Sequence, residues 1–207
     1  MYLYNLIAQG EHETLEFKYE INDPRKIART LVAFANTKGG RLLVGIKDNG
    51  TISGISIDEE YYMVESGAKL YSRPEIDFKV KTHPVSNGKH VLEFIIEPSA
   101  SKPHHVVYSD KPPEVFIRVH DENIIANPVW INIQERLKSP CTIKYTAKHN
   151  RLLAYLKDRK AQSIEILMKA IFLSEKEATE IITDLVVSNI MEIETTNSGV
   201  VFKLKQM

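Results

Sequence analysis

Between residues 15 and 55 the spacing of apolar side chains changes from two to about 3.6 and back to two. That succession restricts the chain to folds in which a helix packs on a sheet. Leu15-Glu16-Phe17-Lys18-Tyr19-Glu20-Ile21 alternates apolar and charged residues. A strand is expected there, with Leu15, Phe17 and Tyr19 toward a core and Glu16, Lys18 and Glu20 on the opposite face. Asn22 or Asp23 can cap a helix that starts at Pro24, where a missing N–H costs nothing. Ile27, Leu31 and Phe34 recur at helical spacing, and Ala28, Ala33 and Ala35 allow close packing. Gly39-Gly40 should end this helix. The apolar run 41–46 then reads as an inner strand, Asp48-Asn49-Gly50 as a hairpin turn, and 51–55 as the returning strand.

Residues 57–71 read as a second helix, with Asp58, Glu59 and Glu60 in its first turn where the macrodipole favours acids. Strands are expected at 78–82, 90–96 and 114–120, the first two joined by a turn at 84–88. Four prolines and two adjacent histidines make 98–113 a loop. The domain 1–127 is therefore expected to be α+β, a mixed β-sheet with two main helices. Pro128 and Pro140 bracket an expected linker, 128–145, with a short helix at 132–138. Beyond it, Leu152, Leu153 and Leu156 mark one helix, Ile164, Leu167, Met168 and Ile171 a second, and Ala178, Ile181, Ile182 and Leu185 a third. Ser174 and Glu177 form a capping box for the third. Strands at 191–195 and 200–204 flank Asn197-Ser198-Gly199, so 146–207 is expected to be a small winged helix-turn-helix domain.

Four spaced groups in the first domain carry a resemblance. They are Glu11-x4-Glu16-Phe17-Lys18, Ala33-Phe34-Ala35-Asn36-Thr37-x-Gly39-Gly40, Leu43-Val44-Gly45-Ile46-x-Asp48-Asn49-Gly50, and Gly54-Ile55. Together they resemble the Schlafen/AlbA-type domain over roughly residues 10–130. Lys102-Pro103 and Phe116-Ile117-Arg118-Val119 sit where the family has its Lys-Pro pair and its arginine strand. The resemblance implies a Schlafen/AlbA-like fold in a family described as DNA-binding. Many bacterial relatives join this domain to a C-terminal winged helix and are labelled transcriptional regulators. In animal Schlafen members, matching acidic positions form a metal-dependent RNA-cleaving site. Carried over, that role would fall to Glu11, Glu16 and Asp48, whose hard oxygens suit Mg²⁺ or Mn²⁺. The family strand usually continues from its arginine into Gly and Ser, whereas here His120-Asp121-Glu122-Asn123 is acidic. Thr37-Lys38-Gly39-Gly40 lacks the spacing of a P-loop, so a motor activity is not expected.

Charge limits the nucleic-acid reading. Lys and Arg number 27, as do Asp and Glu, with 17 against 19 in residues 1–139 and 10 against 8 in residues 140–207. Neither part has the basic excess of a tight non-specific binder. Binding to DNA or RNA must then come from local patches, or from a homodimer that adds two sets of them. Lys18, Lys38, Arg41, Lys102 and Arg118 are the candidates in the first domain, and Lys148, Arg151, Lys157, Arg159 and Lys160 in the second. The third helix of the second domain carries Glu175, Glu177, Glu180 and Asp184 against Lys176, which suits docking or dimerisation as well as groove reading. His104 and His105, with His83, His90 and His120, stand at no zinc spacing and read as solvent-exposed loop residues. Cys141 is the only cysteine, which fits a reducing cytoplasm. No apolar run reaches the ~20 residues that cross a bilayer. The start carries no basic n-region, so no secretory signal and no membrane association are expected. No cofactor is expected outside the nuclease reading. Three readings stand: a nucleic-acid-binding regulator, a Mg²⁺- or Mn²⁺-dependent ribonuclease, and a protein–protein adaptor.

Overall fold

The change of period at residues 15–55 becomes a strand–helix–strand unit. In the computed structural model, which describes residues 1–85, 88–139, 142–196 and 199–205, β1 (Leu15–Lys18) runs parallel to β2 (Gly40–Val44) and α2 (Pro24–Asn36) makes the crossover. A short helix, α1 (Tyr2–Ile7), precedes them, a helix the sequence reading did not anticipate. Asp23 caps α2 by accepting from the Arg25 N–H, and Pro24 occupies the first helical position. There follow α3 (Ile57–Lys69), β3 (Ser72–Arg73), β4 (Lys79–Pro84), β5 (His90–Ile96), β6 (His105–Val106), β7 (Phe116–Val119) and β8 (Glu122–Ile125). The main sheet has the order β1-β2-β5-β4, with β5 antiparallel to both of its neighbours. Two short ladders, β3–β6 and β7–β8, stand apart from it.

Each face of this sheet carries an apolar cluster. Leu42, Val44, Leu92, Phe94 and Ile96 pack with Ile27, Leu31, Phe34, Val64 and Ala68 of α2 and α3. On the other face Leu15, Phe17, Leu43, Ile46 and Val91 pack with Leu3 of α1. Leu15 and Phe17 thus meet expectation, but Tyr19 is 46 % exposed and Glu16 is buried. The expected returning strand 51–55 is reduced to two bridges, Ile46 to Ile52 and Ile55 to His90. Gly45 and Gly54, at φ +102° and +65°, turn the backbone out of any ladder there.

The chain divides into an N-terminal unit, Met1–Ile125, and a C-terminal unit, Ala126–Met207. The expected linker 128–145 needs correction, because its first part is α4 (Pro128–Leu137) and belongs to the C-terminal unit. Pro128 sits at the first helical position, Asn127 accepts from the Trp130 N–H at 2.8 Å, and Val129, Trp130 and Ile133 are buried. The rest comprises α5 (Ala147–Leu156), α6 (Ile164–Ile171), α7 (Glu175–Val187), β9 (Met191–Thr196) and β10 (Gly199–Leu204). Gln162 bridges Phe202 of β10. Leu152, Leu167, Ile182, Leu185 and Phe202 are at or near complete burial in this unit. The molecule is α+β, with a mixed sheet and seven helices among the described residues. Cys141, two residues of the 84–88 turn and the Asn197-Ser198 turn lie outside the described residues.

Candidate nucleic-acid interface

The alternation of β1 places Glu16 on the face opposite Leu15, where Arg118 of β7 meets it. Arg118 Nη2 donates to Glu16 Oε2 at 2.6 Å, and Lys18 Nζ stands 2.6 Å from Glu16 Oε1. Arg118 also donates to the His12 carbonyl and to the Asn123 side-chain oxygen, and lies 5.3 Å from the Phe34 ring centroid. Its Nε has no partner among the described residues. Glu11 spends Oε1 on the Phe17 N–H at 2.8 Å, and Asp48 sits exposed in its turn. Among the described residues no three His, Cys, Asp or Glu side chains could together hold a metal ion. The set Glu11, Glu16 and Asp48 does not fit Mg²⁺ or Mn²⁺ as it stands, since two cations already neutralise its central carboxylate.

The end of α2 is a second clamp. Asn36 Nδ2 donates to the carbonyls of His104 and Phe116, while its Oδ1 accepts from the His104 N–H. The turn that follows needs its glycines. A Cβ at Gly39, where φ is +75°, would lie 2.5 Å from the Ile96 carbonyl oxygen, and one at Gly40 would lie 2.6 Å from the Phe34 ring. Lys102 Nζ donates to the Thr37 carbonyl at 3.0 Å, and burial pushes its ammonium pKa down. His104 departs from expectation. It is 2 % exposed, with Nδ1 at 2.8 Å from the Pro74 carbonyl and Nε2 at 2.7 Å from Ser99 Oγ. Asn36 draws this part of the 98–113 loop into the fold. Arg118 and Lys102, expected to meet a ligand, are instead committed inside the N-terminal unit.

Cations are presented on the sheet face away from α2 and α3. Cross-strand register aligns Arg41, Ile95 and Lys79 in one row and Leu43, Glu93 and Lys81 in the next, with Val91 opposite His83 beyond. Directly paired residues share a face. Glu93, fully buried, forms an ion pair with Arg41 and accepts from Tyr2 Oη at 2.8 Å, and its Oε2 lies 2.8 Å from His83 Nε2. Burial pushes the Glu93 carboxyl up, but hydrogen bonds from His83, Tyr2 and Arg41 outweigh it and hold the group below its ordinary range. Tyr2 stacks on His83 at 5.8 Å, and Lys81 Nζ lies 5.4 Å from the Tyr2 ring centroid. Lys79 and Lys81 are exposed, and Tyr4 is 66 % exposed. Arg41 was nominated from sequence, whereas Lys79, Lys81, His83 and Tyr2 were missed. Their signal was the period-two run Lys79-x-Lys81-x-His83. Lys18 is half-buried, and Lys38 is exposed and paired with Glu13 at 2.8 Å.

In the C-terminal unit α7 is covered on more than one side. Ala178, Ile181, Ile182 and Leu185 are buried, Thr179 and Thr183 are buried as well, and α4 packs along it. Only Glu175, Lys176 and Glu180 of this helix are exposed. Arg136 of α4 and His149 of α5 both reach Asp184. Lys148 pairs with Glu177, whose carboxyl is held down to about 2 by Lys148 and by the Ser174 backbone and hydroxyl. Arg151 donates to the Ile171 carbonyl, and Arg159 lies over the Tyr155 ring at 4.0 Å. Lys157 and Lys160 are exposed.

Comparison with known proteins agrees with the N-terminal fold. A family model described as Schlafen, AlbA_2 matches residues 11–127. Among solved structures, the DIP2311 protein of Corynebacterium diphtheriae is 19 % identical with a TM-score of 0.46. That match covers 79 % of this chain and 33 % of the other, so the chain spans about a third of that protein. The N-terminal domain of a RecG-related protein from Nitrosomonas europaea is 17 % identical with a TM-score of 0.40, over 69 % of this chain and 95 % of the other. None of the curated proteins compared with the chain matches it.

Proposed function

The chain belongs to the Schlafen AlbA_2 family, and from that premise we propose that it binds DNA or RNA through the exposed, cationic part of the sheet face away from α2 and α3 in its N-terminal unit. The observation that carries this reading is the row-by-row placement of Arg41, Lys79 and Lys81 around the neutralised carboxylate of Glu93, with Tyr2 and Tyr4 nearby. Cations in such an array contact phosphates and orient the polymer, while exposed aromatic rings stack on bases. Lys18 and Lys38 are additional phosphate contacts in this reading. The finer role is that of a bacterial transcriptional regulator acting as a homodimer. The order α5, Gln162 bridge, α6, α7, β9, β10 supports reading the C-terminal unit as a winged helix with α4 added in front of it. A dimer would double a set of basic patches that is small in a chain of zero net charge.

The test is fluorescence polarisation of labelled duplex DNA, single-stranded DNA and structured RNA across a salt series. Binding that weakens steeply with salt is expected. The Lys79→Gln/Lys81→Gln variant should lose affinity for all sequences alike, with its salt slope smaller by about 2. Absence of binding to every probe at low salt would remove the reading.

A further inference from the structure

Resting on the nucleic-acid reading, we infer that the C-terminal unit grips the phosphate backbone through a cleft between residues 156–161 and the outer face of the β9–β10 hairpin, and not through α7. The cleft has a volume of about 910 Å³ and is lined by Lys157, Arg159, Lys160, Lys203 and Lys205 against Asp158 and Glu194. Its cations are of two kinds. Lys203 is held by Glu192 and Glu194, Lys205 donates to Asn189, and Arg159 is laid over Tyr155 while donating to its carbonyl. These are positioned in advance. Lys157 and Lys160 are exposed and form no ion pair among the described residues, so their charge is available to an anion. An array of this kind, with some cations held and others free, suits the repeated anionic charge of a nucleic-acid strand.

Two further observations place the contact here. The exposed part of α7 offers two acids and one lysine, and α4 packs along the helix, so the side left open to a groove is net acidic and repels phosphates. Among the described residues the cleft lining includes no Asn or Gln, the side chains that read adenine edges; its lysines act as point charges, and its arginine, Arg159, is held against Tyr155. The contact is therefore one of backbone, without sequence preference.

The experiment compares the full chain with its Lys157→Gln/Lys160→Gln variant on labelled duplexes and single strands of unrelated sequence. A Lys176→Gln variant serves as the control on α7. The double variant should bind every probe more weakly, with its salt slope reduced by about 2. Its affinity deficit should narrow about tenfold between roughly 50 and 200 mM salt, because released counterions carry the difference. Lys176→Gln should bind as the unaltered chain does. Unchanged affinity and slope in the double variant, while the unaltered chain still binds, would overturn the cleft and leave the sheet-face reading intact. A loss seen with Lys176→Gln in place of the double variant would return the contact to α7. Failure of the unaltered chain to bind at any salt would overturn both readings together.

Discussion

Removing the charge of Glu16 would leave Arg118, 1 % exposed, without an anionic partner. Glu16→Gln should therefore destabilise the N-terminal unit by about 3–5 kcal/mol, the usual cost of breaking a buried pair from one side. A lowered urea midpoint with an unchanged m-value is the readout. The joint replacement Glu16→Leu/Arg118→Met should recover most of that loss, because it removes both charges at once. Glu93 has its own signature in pH. Its folded carboxyl titrates below the ordinary value, so its contribution is complete above that value and is lost as pH falls through the folded one. Glu60 runs the other way. Burial first raises its pKa, so its contribution is present in acid and is lost as pH rises through the folded value. Glu93→Gln should therefore flatten the acid limb of a stability–pH curve, and a set of urea titrations from acid to neutral pH would reveal it. Sequence reading singled out Glu16 and Arg118 but could not see that they face each other across 102 positions. His104 was misread for the same reason, since its burial depends on Asn36, 68 residues earlier.

At the scale of elements, local signals sufficed where the core was regular. The apolar spacing of α2, its Asp23-Pro24 start and the runs that became β2 and β5 all lie where the periodicity placed them. The failures have physical causes. Pro128 was read as a breaker, although at the first turn it is a helix starter and Asn127 supplies the cap. Asn127→Ala should accordingly cost about 1 kcal/mol, measured as a fall in the unfolding midpoint of the C-terminal unit. Helix α1 has six residues, too few for periodicity to register, and Leu3 alone of these is buried. The row of cations on the sheet depends on the pairing of β2, β5 and β4. Alternation within β4 was legible, but which strands stand beside it was not.

For the whole molecule, charge is divided between the two units. Residues 1–125 hold 15 Lys/Arg and 18 Asp/Glu, and residues 126–207 hold 12 and 9. The zero net charge thus conceals a basic C-terminal unit. The two units also unfold under different observers, because Trp130 is the single tryptophan and is buried in the second. Glu16→Gln should shift the urea transition seen by far-UV circular dichroism while leaving the Trp130 fluorescence transition in place. A matched shift in both probes would mean that the units unfold as one.

Asn36, Gly39, Gly40 and Arg118, which announce the family in the sequence, are bound up in holding α2, β1 and β7 to one another. Of the residues proposed to touch a ligand, Lys79 and Lys81 lie outside those motifs and are exposed, so changing them leaves the clamps undisturbed. Two chains can therefore share the whole signature and differ in what they bind. Engineering can exploit the same independence. Exposed positions of β4 could be randomised to select new anionic or neutral ligands, while the clamps that maintain the scaffold stay untouched.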